Sequence, residues 1–170
     1  LVNDAVMFDP PVEQPIEIRG PDATRFVDYL LTRDMTKCPV GRCRYAIFVD
    51  DEGRLLCDTV VLRLAEDVYW MSGDLGWIRG LAIGLRMEVK VTFVEAAPLQ
   101  IQGPKSVDVV HSLFGNKVSD LEFYQLTELT FEGMPLVITR TGWTGERGYE
   151  VYLKDTSKAT ALWNAILQGG

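Results

Sequence analysis

Apolar residues follow two periodicities along the chain, and the switch between them happens twice. At Ile16 and Ile18 they alternate with polar residues, as in a half-buried strand, and then Phe26, Val27, Leu30 and Leu31 follow at helical spacing. The same change recurs at Leu99 and Ile101, followed by Val109, Val110 and Leu113. The segments IEIRGPDATRFVDYLL and LQIQGPKSVDVVHSLF superpose without a gap at an offset of 83 residues, with Gly20-Pro21 on Gly103-Pro104. In both, glycine ends the strand, and proline is expected at the first helical position, where its missing N–H costs nothing.

The later elements repeat as well. Strands are predicted at about 43–50, 54–64 and 68–72, then a helix near 74–87 and a strand at 87–94. The second half predicts strands at about 125–132, 134–141 and 147–153 and a helix near 156–168. The fold class is therefore α+β: two ferredoxin-like βαβββα units in tandem, the first closed by an extra strand. Residues 1–14 form a lead, 15–96 the first unit and 97–170 the second, with the boundary near Glu95-Ala96-Ala97-Pro98. The second unit lacks its last strand, because the chain stops at Gly169-Gly170, where a helix cap should lead into it. A truncated C-terminus or a later segment that supplies the strand is expected. An open sheet edge would drive assembly into a homo-oligomer.

Composition narrows the function classes. The chain is 47% hydrophobic and 24% charged, enough for a packed core and unlike a disordered segment. Seventeen Lys and Arg against 24 Asp and Glu give a charge of −7, which repels phosphate backbones, so no nucleic-acid partner is expected. No apolar run reaches the roughly 20 residues that span a bilayer, and LVNDAVMF has no signal-peptide pattern, so no membrane partner is expected either. Cys38, Cys43 and Cys57 are an odd set without zinc spacing, and the single His111 cannot complete a metal site. They read as reduced thiols of a cytoplasmic protein with no metal.

Two clusters carry candidate chemistry. Asp58 lies in RLLCDTVVLRL, a run apolar on both faces that reads as a buried strand, where an unpartnered carboxylate costs several kcal/mol. Such a group is kept for function or bonded to nearby backbone at a strand end. If the hairpin pairs Asp50 with Gly53, Tyr45 stands directly opposite Asp58, though a bulge at Gly53 would shift that register. The second cluster is RTGWTGERGYEVYL, where Gly142, Gly145 and Gly148 recur every third residue. No Lys-Ser/Thr pair or helix follows, so it is a turn into a strand and not a phosphate loop. Glu150 and Tyr152 share one strand face with Gly148, and Trp143 sits in the turn. A carboxylate with aromatics and close-approach glycines suits a flat heteroaromatic ligand that offers two N–H donors. A solvent-facing polar strand side accounts for the same pattern equally well. Phe123-Tyr124 reads as core or rim, and His111 as a structural or surface histidine.

The strings IRGPDATRFVDYLLTRD, YAIFVDDEGRLLCD, IQGPKS and RTGWTGERGYE together resemble the glycine cleavage system T-protein family of tetrahydrofolate-dependent aminomethyl- and methyltransferases. The resemblance covers essentially the whole chain in order. IQGPKS, RTGW and WMSGDLGWIRGLAIGL are closer to its demethylase branch, which includes dimethylsulfoniopropionate demethylase. It implies a folate-binding T-protein-like fold whose C-terminal part is absent here, tetrahydrofolate as cofactor and a small-molecule methyl donor (a sulfonium, amine or ether). It assigns catalytic roles to Asp58 and Tyr45, and folate binding to Glu150, Trp143, Tyr152, Phe123 and Tyr124. Two departures stand out. The family's T-proteins have a His-Met pair where this chain has Pro10-Pro11-Val12-Glu13, and paired acids where it has Cys57-Asp58. Family members are also considerably longer. The alternatives are the glycine-cleavage aminomethyltransferase, with a lipoyl carrier protein as partner, a non-catalytic folate-binding module, and a purely structural domain.

Overall fold

A computed structural model describes residues 1–170, apart from the side chain of Ala97. Two compact units are present: residues 15–94 form one, and residues 1–14 with 95–170 form the other. Each contains a five-stranded sheet in which all neighbours run antiparallel. Strand β1 (Val6–Phe8) opens the chain and belongs to the second of these units.

In the unit of residues 15–94, β2 (Ile16–Arg19) leads into α1 (Ala23–Leu30), followed by β3 (Arg42–Val49), β4 (Leu55–Ala65), β5 (Val68–Met71), α2 (Leu75–Gly84) and β6 (Lys90–Phe93). The sheet order is β3-β4-β5-β2-β6. Phe26 and Val27 of α1 and Ile78 and Ala82 of α2 pack onto Ile16, Ile18, Phe48, Val61 and Met71 of the strands. Asp74 starts α2 by accepting from Trp77 N at 2.6 Å.

The second unit repeats the plan with β7 (Ala97–Gln102), α3 (Ser106–Phe114), the short α4 (Asn116–Ser119), β8 (Leu126–Phe131), β9 (Met134–Thr139), β10 (Gly148–Leu153) and α5 (Ala159–Gly169). Its sheet order is β1-β7-β10-β9-β8. The second repeat itself supplies four strands, as its sequence implies. The fifth position comes from the lead and not from a later segment: β1 pairs along β7, with Met7 opposite Ile101, where β6 pairs along β2 in the first unit. The edge of β7 is therefore covered, which removes the ground for expecting self-association there.

The two Gly-Pro junctions show why the lead fits. Ala23 N donates to Gly20 O at 2.9 Å and Ser106 N to Gly103 O at 3.0 Å, closing a turn ahead of each helix. Pro21 and Pro104 occupy those turns and not the first helical positions, because the turn closes before the helix begins. A Cβ at Gly20 would strike the Glu88 carbonyl oxygen, and one at Gly103 the carbonyl oxygen of Asp4. The segment entering β6 and the lead entering β1 thus press on equivalent glycines. No helix among the described residues is long and apolar enough to cross a membrane, and the three cysteines are free thiols.

Candidate active site

Strand alternation gives the second sheet two unlike faces. Leu99, Ile101, Leu136, Ile138, Tyr149, Val151 and Leu153 point into the core under the helices. The opposite face of the same strands carries Gln100, Gln102, Thr139, Gly148, Glu150 and Tyr152, all of them buried. Register brings them together, since Glu150 pairs with Gln100 of β7 on one side and with Thr139 of β9 on the other. Tyr152 Oη donates to Glu150 Oε2 at 2.9 Å, Gln100 Nε2 donates to Oε1 at 3.2 Å, and Thr139 and Thr141, hydrogen-bonded to each other, have one hydroxyl hydrogen left for the carboxylate. Burial pushes the Glu150 carboxyl above its ordinary range, and the Tyr152 hydrogen bond and that of the threonine pair oppose the shift.

The glycines of the turn after β9 serve this network. Gln102 is fully buried; its Nε2 donates to Thr141 O at 3.3 Å and its Oε1 accepts from Thr144 Oγ1 at 2.9 Å. A Cβ at Gly142 or at Gly148 would overlap this side chain. The close approach that the glycine spacing implied is thus made by the Gln102 amide. Gly145, at φ +79°, turns the chain between them. Trp143, 65% exposed, donates from Nε1 to Gln100 Oε1 at 2.6 Å, and its ring meets Phe8 edge-on at 5.6 Å.

A second carboxyl joins the cluster from the lead. Glu13 lies in a single 3-10 turn, Pro11–Glu13, and its Oε2 accepts from Gln100 Nε2 at 2.7 Å. Partial burial, followed by the charge of Glu150, pushes its carboxyl up to about 7, against an opposing hydrogen bond from Gln100. Phe123 and Tyr124 form an edge-on pair at 4.3 Å in the loop before β8. Phe123 is 61% exposed and lies under the Arg140 guanidinium at 5.9 Å. It lines a cleft of about 210 Å³ with Arg140, Thr141, Arg147 and Gly148, so Thr141 belongs to both the cleft and the Glu150 shell.

In the unit of residues 15–94, Tyr45 Oη donates to Asp58 Oδ2 at 3.1 Å. The expected pairing is corrected: Asp58 stands opposite Ile47, and Tyr45 opposite Val60. The hairpin closes on Asp50 and Arg54, one residue wider than expected, and an irregularity between Phe48 and Val49 adds one more, so both side chains stay on one face as diagonal neighbours. The expected burial of Asp58 is also corrected, because the residue is exposed. Strand β4 outruns β5, whose pairing begins only at Leu62, so Leu55, Leu56 and Asp58 lie on a projecting ribbon.

The family described as GCVT N-terminal domain matches residues 1–170. The chain belongs to that family. It is 35% identical over 168 residues to a dimethylsulfoniopropionate demethylase of Ruegeria pomeroyi, covering 96% of this chain and 46% of that protein. It is 36% identical over 179 residues to an aminomethyltransferase of Symbiobacterium thermophilum, covering 98% and 48%. The crystal structure of the glycine cleavage system aminomethyltransferase T from Bartonella henselae superposes with a TM-score of 0.84 at 29% identity, covering 96% of this chain and 45% of that one. The chain thus spans about half the length of the curated relatives it matches.

Within this GCVT N-terminal domain, the candidate residues fall into two groups, one in each unit. Glu150, Tyr152 and Trp143 meet around Gln100, while Asp58 and Tyr45 meet on the β3–β4 ribbon. Sequence reasoning missed Gln100, Gln102, Thr139, Thr141 and Glu13. The first four occupy polar positions of alternating strands or of the adjoining turn, but alternation does not say which strands are neighbours. Glu13 left a single trace, its place in the stretch that departs from the family's His-Met pair.

Proposed function

We propose that this domain forms part of a tetrahydrofolate-dependent one-carbon transferase that takes a methyl group from a small sulfonium, amine or ether donor. The observation that carries the reading is Glu150. It is a buried carboxylate held by Tyr152, Gln100 and the hydroxyl pair of Thr139 and Thr141, and displacing one of these donors leaves lone pairs for two N–H donors of a flat ring edge. That donor set fits a reduced pterin. Tetrahydrofolate, when bound, supplies the nucleophilic nitrogen that accepts the methyl group. At 5% exposure Glu150 is closed to an incoming ring, so a side chain of its shell must move to admit one.

The chain's own residues bind and orient. Trp143, bonded to Gln100, and Phe123, on the cleft that Thr141 lines and paired edge-on with Tyr124, offer aromatic faces to a ring. Asp58 presents an exposed charge to a cationic donor, and Tyr45 holds its orientation. For an amine donor, Asp58 Oδ2 is placed to take a proton. Orientation supplies most of the acceleration in such a transfer. Aminomethyl transfer is the second reading, favoured by the 36% identity to the aminomethyltransferase of Symbiobacterium thermophilum.

The test is calorimetric titration of tetrahydrofolate into the full-length protein and its Glu150→Ala variant, followed by turnover with candidate methyl donors and Asp58→Asn. Binding that collapses in the Glu150 variant, and turnover that collapses in the Asp58 variant, are expected. An intact protein that does not bind tetrahydrofolate rules the reading out.

A further inference from the structure

We infer that Glu13 is a positioning residue for Glu150: through the Gln100 amide the two carboxyls share one proton, held on Glu13, which keeps the charge on Glu150. The ligand side of this inference rests on the folate reading; the proton sharing does not.

The Gln100 amide is held in one orientation, because its Oε1 accepts from Trp143 Nε1. Its Nε2 therefore serves both acids, one N–H each, at 2.7 Å to Glu13 and 3.2 Å to Glu150. A single neutral amide does not neutralise two charges removed from water, so carboxyls linked this way keep a proton into the neutral range. The donors decide which acid keeps it. Glu150 receives hydroxyl hydrogen bonds from Tyr152 and from the Thr139–Thr141 pair, whose second hydroxyl hydrogen joins the two threonines, and these favour its ionised form. Glu13 has the Gln100 amide alone among the described residues. Burial raises both carboxyls, Glu13 to about 7, so the pair keeps a proton and the hydrogen bonds set its place. Glu150 and Tyr152 of β10 are the titratable groups that face this cluster, with neutral Gln100 on β7 and Trp143 on the turn.

A neutral ring edge with adjacent N–H donors meets a single charge here. Seating it removes water that screens Glu13, so the bound state grips the proton more tightly than the free state. Affinity then falls once Glu13 ionises.

The experiment measures anaerobic tetrahydrofolate binding to the full-length protein from pH 5.5 to 8.5. The wild type should bind with constant affinity up to about pH 6.5 and weaken above pH 7 by up to about tenfold per unit. Glu13→Gln should bind with no such slope. Calorimetry in two buffers of different ionisation enthalpy should show proton uptake near pH 8 in the wild type, a readout that stands if the variant does not fold. A flat wild-type profile, no proton uptake, or an unchanged slope in Glu13→Gln overturns the inference. Carboxyl NMR separates this from the folate reading. Glu13 should titrate near neutrality and shift down in Glu150→Gln, with burial still holding it above the ordinary glutamate range, whether or not tetrahydrofolate binds. An ordinary Glu13 titration in the wild type overturns the sharing, whereas no tetrahydrofolate binding at any pH beside an elevated Glu13 overturns the folate reading alone.

Discussion

Gly148→Ala is expected to destabilise the protein through one neighbour, Gln102. The new methyl group would occupy space filled by the Gln102 amide, which is fully buried and tied to Thr141 and Thr144. Gly142 closes on the same amide from the turn, so the side chain has no room to retreat. Inserting a methyl group into such packing costs about 1–3 kcal/mol. Loss of unfolded-state freedom returns about 0.4–1 kcal/mol, since alanine is the stiffer residue. The net loss is about 1–2 kcal/mol, or a fall in Tm of roughly 2–8 °C for a chain of this size. Gln102→Ala alone should cost about 1–3 kcal/mol, from lost hydrogen bonds and a cavity. The double variant is the decisive one: with the amide gone the methyl group fits, and the two losses should fall short of additivity by about 1–2 kcal/mol. Urea denaturation of the four proteins of this cycle measures the coupling. Additivity within about 0.5 kcal/mol would show that the glycine is not there for Gln102.

Other expectations follow from the same geometry. Glu13 holds its proton up to about 7 against an ordinary 4.5, so the folded state binds that proton more tightly than the unfolded chain. Its contribution is full below pH 4.5 and lost as pH rises toward 7; 1.36 kcal/mol per unit gives a ceiling of about 3 kcal/mol, and screening of this partly exposed group leaves about 1–2. Thermal unfolding across pH 5–8 should show Glu13→Gln with a flatter profile than wild type, and identical slopes would refute it. Tyr152→Phe removes a donor to buried Glu150 and should cost about 1–2 kcal/mol in denaturant titrations. Gly103→Ala drives a methyl group against the Asp4 carbonyl at φ +119°, so amide exchange along β1 should accelerate while that of β2 is unchanged.

The repeat, the strand and helix ranges and the shared face of Glu150 and Tyr152 were legible because each depends on local periodicity or on a two-residue step. What escaped detection depends on pairing between distant segments. The register of β3 on β4 depended on a turn one residue wider than expected, closing on Asp50 and Arg54, and on an irregularity at Phe48 and Val49 that carries no residue signature. Asp58 was read as buried because its neighbours Leu55 and Leu56 are apolar, yet these leucines are 62% and 53% exposed on a ribbon that β5 does not reach. Strand β1 is three residues long, too short for alternation to register, and its pairing with β7 is the kind of contact that only the tertiary structure specifies.

That pairing has a consequence for how the chain acquires its structure. Strand β1 finds its place beside β7, roughly 95 residues downstream, with the entire unit of residues 15–94 between them in sequence. On a ribosome, the unit of residues 15–94 has all its strands available before the sheet of the other unit has more than β1. The lead must then stay unpaired until Gln100, Ile101 and Gln102 emerge, with loop closure governed by an already folded insert instead of a flexible coil. The residue that completes the carboxyl pair, Glu13, travels with that strand, so the proton-sharing site is assembled only when residues 1–14 meet β7 and β10.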